Sequence, residues 1–111
     1  MITSSVRRMC GGTLLMVCVA AASGTALAAN VFDGRVVYEQ HCSVCHGSDG
    51  RGELPGIPDF SRMSRSLMQP DAMVFDTVSN GKGGMPAFRG LLEEREILDV
   101  IAFLRTFVGR R

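Results

Sequence analysis

Five consecutive residues hold the densest chemistry in this chain, Cys42-Ser43-Val44-Cys45-His46. Two thiols three positions apart at the end of a helix fall on nearly one face, and the next residue offers a neutral imidazole nitrogen. In an exported chain, a C-x-x-C-H run reads as the attachment site of one covalent haem. Each thiol adds to a vinyl group of the porphyrin, and the histidine ligates the iron. Three other readings use the same residues. A dithiol oxidoreductase would place C-x-x-C beside a βαβ pattern, and no alternating strand pattern is visible. A structural zinc site needs four ligands, whereas His41, Cys42, Cys45 and His46 are crowded together with no second pair downstream. A plain Cys42–Cys45 disulfide is the simplest alternative in an oxidising compartment.

Export is itself legible. Arg7 and Arg8 form a basic start, Met9 to Ala22 is apolar and uncharged, and Ala26-Leu27-Ala28 supplies the small-x-small end of a secretory leader. The expected division is therefore a signal peptide over 1–28 and a single domain over 29–111. The competing reading is a retained membrane anchor, since Met9 to Ala29 carries no charge over roughly the ~20 residues that a spanning helix needs. Cys10 and Cys18 leave with the leader. Losing Arg7 and Arg8 takes the 12 basic residues to 10 against 11 acidic ones, so the domain is nearly neutral. With Lys82 as its only lysine and no basic stripe, it does not read as a nucleic-acid binder.

The elements that must position the motif follow from periodicity. Asp33 is a plausible N-cap for a proline-free run into Cys42, with Gly34 and Tyr38 sharing one helix face. Residues 47–58 carry four glycines and two prolines and read as an irregular loop. Pro70 opens a second helix, along which Ala72, Met73, Phe75 and Val78 recur until Asn80-Gly81. The last helix is the clearest. Ile97, Val100, Ile101, Leu104 and Val108 keep the i, i+3, i+4, i+7 spacing, with Glu93, Glu94 and Glu96 in the first turn but no good cap at Leu92. The fold class is all-α, three main helices joined by long loops. A domain of ~80 residues is near the limit for a core unaided by a metal, disulfides or a bound group. Long loops in so small a domain point to a bound group that organises them.

From residue 29 onward the chain resembles a small class I c-type cytochrome over nearly its whole length. The resemblance implies that three helices and their loops wrap around one haem. It pairs Gly34 and Tyr38 of the first helix with Val100 and Phe103 of the last. It also implies that the carbonyl of Pro58, twelve residues after His46, accepts the histidine ring N–H, and that Met85 in Gly84-Met85-Pro86-Ala87-Phe88 is the sixth iron ligand opposite His46. Met63, Met68 and Met73 read as gap-filling core residues, with Met63 and Met68 the competitors for the iron. His41 reads as a surface or packing residue. Arg62, Arg65, Arg89 and Lys82 are all available to haem propionates. A His/Met pair raises the reduction potential and leaves no position for substrate. The implied protein is a monohaem periplasmic electron carrier rather than an enzyme. It docks transiently on periplasmic or membrane-bound redox proteins and meets a membrane only if the leader is kept. The alternatives are a haem enzyme or gas-sensing subunit with a labile sixth ligand, and a membrane-anchored cytochrome subunit of a larger redox complex.

Overall fold

The computed structural model describes residues 27–62 and 64–110. Apart from its last two positions, the expected signal peptide 1–28 lies outside the described residues, as does Met63. Four helices follow one another, α1 (Val31–His41), α2 (Ser43–His46), α3 (Asp71–Asn80) and α4 (Glu94–Arg105). Among the described residues the only β pairing is two isolated bridges, Lys82 with Met85 and Arg89 with Leu92. The fold is all-α, as expected. The three main helices are α1, α3 and α4, and α2 is a separate single turn that carries most of the C-x-x-C-H run.

Helix α1 starts earlier than Asp33. The Asn30 side chain is the cap, its Oδ1 accepting from the Phe32 amide at 3.0 Å and the Asp33 amide at 3.5 Å. Asp33 sits in the first turn instead, where its charge suits the positive end of the helix and it accepts from Asn30 Nδ2 at 2.7 Å. The start of α4 is also better capped than its sequence suggests, because the Glu93 amide donates to Glu96 Oε2 at 2.8 Å.

These two helices cross at Gly34. A Cβ there would lie 1.9 Å from the Asp99 carbonyl oxygen and 2.9 Å from the Val100 nitrogen, so only hydrogen fits. One turn on, the Tyr38 ring packs against Phe103 and Phe107 at centroid distances of 5.3 and 5.2 Å. Burying each of these large side chains contributes roughly 1.5–3 kcal/mol. Phe107, 2% exposed, takes the last core position where the periodicity suggested Val108, which is 38% exposed because α4 ends at Arg105. On α3 the inward residues are Val74 and Val78, while Met73 is exposed, contrary to the expectation that it faces the core. The far end of α4 is fastened by Arg105. Its guanidinium donates to the carbonyls of Leu67 and Gln69 and pairs with Asp71 at 2.6 Å.

Candidate functional site

The motif sits where α1 hands over to α2. Cys42 closes α1, its amide donating to the Tyr38 carbonyl at 2.9 Å, and its own carbonyl accepts from the amides of Cys45 (3.2 Å) and His46 (3.0 Å). One tight turn therefore sets both thiols and the imidazole. Gly47, with φ of 78°, ends the turn in a conformation that suits glycine. Its carbonyl accepts from the buried Tyr38 hydroxyl at 2.6 Å, which ties the end of the motif to the α1–α4 crossing. The loop beyond folds back, so that the amides of Gly52 and Glu53 donate to the carbonyls of His46 (2.8 Å) and Cys45 (3.0 Å). Few backbone acceptors around the motif are left bare.

Both cysteines are free thiols, half-buried. Burial pushes the Cys42 thiol up to about 11. The same desolvation lowers the His46 imidazole from its ordinary value and favours the neutral form, the one that binds metal. The His46 ring stacks on Phe60 at 4.8 Å between centroids and 19° between planes. Its Nδ1 is buried without a hydrogen-bond partner. The bond from this ring to the Pro58 carbonyl, implied by the resemblance, is thus not formed here. The Phe60 stack orients the imidazole instead, with half-buried Pro58 two residues upstream of it.

Met85 lies on a turn that is pinned rather than loose. Its amide and carbonyl both pair with Lys82, at 3.0 and 3.1 Å, and the amides of Phe88 and Arg89 donate to the Val78 and Ser79 carbonyls of α3. Gly81 makes the approach possible, since a Cβ there would lie 2.5 Å from the Met85 carbonyl oxygen. Met85, Phe75 and Cys42 are the partly buried residues packed against the edge of the hydrophobic core. Met68 and Met73 are 66% and 53% exposed. His41 was expected at the surface or packed on its helix. It is half-buried, with its ring set edge-on to Phe88 at 6.3 Å, joining the end of α1 to the Met85 segment.

The chemistry of these donors fits a covalent haem. Two unjoined thiols follow one another on a single turn, beside an imidazole whose burial favours the neutral, metal-binding form. Among the described residues, no three His, Cys, Asp or Glu side chains gather as a metal cluster would. Fold and site together define a c-type cytochrome.

Comparison with known proteins agrees. Residues 29–104 match the family described as "Cytochrome C oxidase, cbb3-type, subunit III". The chain is 33% identical over 78 residues to cytochrome c6 of Chlorolobion braunii, covering 64% of this chain and 83% of that protein. The solved c-type cytochrome KustC0563 superposes with a TM-score of 0.63 at 26% identity, covering 68% of this chain and 98% of the other. Cytochrome c6 of the diatom Phaeodactylum tricornutum gives a TM-score of 0.60 at 25% identity, over 69% and 92% of the two chains. The chain belongs to the c-type cytochrome family of this match, a monohaem electron carrier with covalently bound haem c, and Cys42 and Cys45 fit the family's C-x-x-C-H binding motif.

Proposed function

We propose that the chain works as a small exported shuttle, with haem bonded to Cys42 and Cys45 and its iron held between His46 and Met85. The observation that carries this reading is the α2 turn itself, on which two unjoined thiols are followed directly by His46, whose burial favours the neutral, metal-binding form. Haem bound here supplies a one-electron Fe(III)/Fe(II) couple. The protein's own residues do the rest. The α2 turn fixes the attachment points, Phe60 sets the plane of the imidazole, and Pro58 shapes the backbone that delivers Phe60. The bridge to Lys82 sets Met85 on a fixed turn, from which its sulfur would hold the iron of a bound haem and favour electron transfer over catalysis.

The expected leader supports a periplasmic location for this domain. No helix among the described residues is long and apolar enough to cross a membrane. Transient docking to a membrane-bound or soluble redox protein follows from the shuttle reading. The family description favours a second reading of the partner, in which the domain passes electrons to a larger oxidase.

Optical spectra of the purified protein, oxidised and reduced, test the assignment. The expected result is a low-spin covalent haem in both states that does not bind carbon monoxide. Protein without haem, or a high-spin spectrum with an open sixth position, would overturn it.

A further inference from the structure

One buried carboxylate has no part in the haem site. Asp99 lies in the middle of α4, its side chain 6% exposed, where it faces the start of α1. Its Oδ1 accepts from the Asn30 backbone amide at 2.7 Å and from Arg95 Nε at 3.1 Å. The same Arg95 reaches past it with its two terminal nitrogens, donating to the carbonyls of Leu27 at 3.1 Å and Ala28 at 2.6 Å. Both carbonyls belong to the leader, and the second is the carbonyl of the bond expected to be cut.

We infer that Asp99 is a binding site for a primary ammonium, the chain's own α-amino group at Ala29 once the leader is removed. Hydrolysis of the Ala28–Ala29 bond by a signal peptidase consumes one water, leaves a carboxylate on Ala28 and an amine on Ala29, and the amine is protonated at neutral pH. The new ammonium is about 4 Å of backbone from the Asn30 nitrogen already bonded to Asp99. The cut also removes both carbonyls that held the Arg95 terminal nitrogens. Arg95 is then the competing cation on α4, and Asp33, bonded to the Asn30 side chain, is the other acid near the terminus. The carboxylate is largely screened from water, so its pairing is weakened less by salt than that of an exposed group. Maturation thereby exchanges backbone contacts for an ion pair that fastens the head of α1, the helix that runs directly into Cys42, onto α4. The inference rests on export with cleavage after Ala28.

The test exploits the amine count. Lys82 is the only lysine, so the mature holoprotein carries two primary amines, Lys82 and the terminus, and the pH dependence of their acetylation by trace labelled acetic anhydride reads the titration of each. Mass spectrometry should first place the terminus at Ala29. The terminal amine should then titrate above its ordinary range of about 7.7–8.0, with Lys82 as the internal control. Asp99→Asn should return it to that range, and Arg95→Gln, which removes the rival cation without taking the carboxylate, should raise it further. A terminus elsewhere, an ordinary value in the wild-type protein, or no fall in Asp99→Asn would overturn the site. If Asp99→Asn does not fold, an unchanged or lower value in Arg95→Gln does so instead. None of these results alters the haem spectrum, which tests the electron-carrier reading separately.

Discussion

The α1–α4 crossing and the loops on either side of α3 solve opposite problems. At the crossing, backbone meets backbone at Gly34, rings of Tyr38, Phe103 and Phe107 fill the flanks, and Ile97, Val100 and Ile101 are all but fully buried. Stability there comes from apolar contact between two regular elements. Among the described residues, the stretches 47–70 and 81–92 contain no helix, and glycine turns and scattered hydrogen bonds hold them in place. One region is held by its own packing, while the other is expected to depend on the group it encloses. Substitutions in the two regions should therefore fail in different ways.

The largest effect is expected from removing both haem attachments. Cys42→Ala with Cys45→Ala takes away the group around which the loops are arranged, and circular dichroism should show a poorly folded chain. Native-like ellipticity without haem would show that the crossing alone carries the fold. Next comes Gly34→Ala. A methyl placed 1.9 Å from a carbonyl oxygen forces the helices apart, at a cost of about 3 kcal/mol. For a domain of this size, thermal unfolding should move down by on the order of 10 °C or more, with the haem spectrum of the folded fraction unchanged.

Tyr38→Phe probes the joint between the regions, deleting the hydroxyl that reaches the Gly47 carbonyl. The loss should be about 1 kcal/mol, measured by chemical denaturation. In the wild-type protein, burial raises the ionisation of this phenol well above its ordinary value. The unfolded chain then releases its proton near pH 10 while the folded chain retains it. Stability from this source should be intact below that pH and decline above it. Absorbance titration reports the group cleanly, since the chain has a single tyrosine.

Met85→Ala should disturb the fold least and act instead on the chemistry. Its side chain is at the core edge and its turn is held by backbone bonds, so unfolding should shift little. The reduction potential should fall and carbon monoxide should gain access to the iron, measured by redox titration and difference spectra. Met68→Ala and Met73→Ala, both at exposed positions, should do neither.

What was legible in advance follows the same division. Helical periodicity revealed α4 and the Gly34–Tyr38 face because packing between regular elements leaves a regular imprint. The caps were less visible. Asn30 works through its side chain from outside the apolar run, and Glu93 is capped by a residue three positions ahead. Asp99 gives no sign of its burial in the sequence, because a charged residue reads as solvent-facing until the Asn30 amide is seen to reach it. Spacing predicts Met73 inward, yet Val74 and Val78 are the residues α3 turns toward the core. The loops gave residue types without partners. The motif fixed the attachment chemistry, but the Phe60 stack on His46 joins positions 14 apart across a segment with no periodicity to read.

The Arg105 clamp has a consequence for how such chains can vary. The stretch from 47 to 70 is anchored at its start by the bonds around α2 and at its end by one guanidinium on the last turn of α4. A chain closed at both ends becomes costlier to confine only slowly as it grows, by about 0.6 kcal/mol for each doubling of its length. Between its anchors this segment can lengthen or shorten with little penalty, so long as Phe60 still reaches the imidazole and Leu67 the guanidinium. The crossing has no such latitude, because one inserted residue in α1 would rotate Gly34 by about 100° away from Asp99. Diversity in length is therefore admitted on the haem side of the molecule, while the two-helix frame keeps the attachment turn in register.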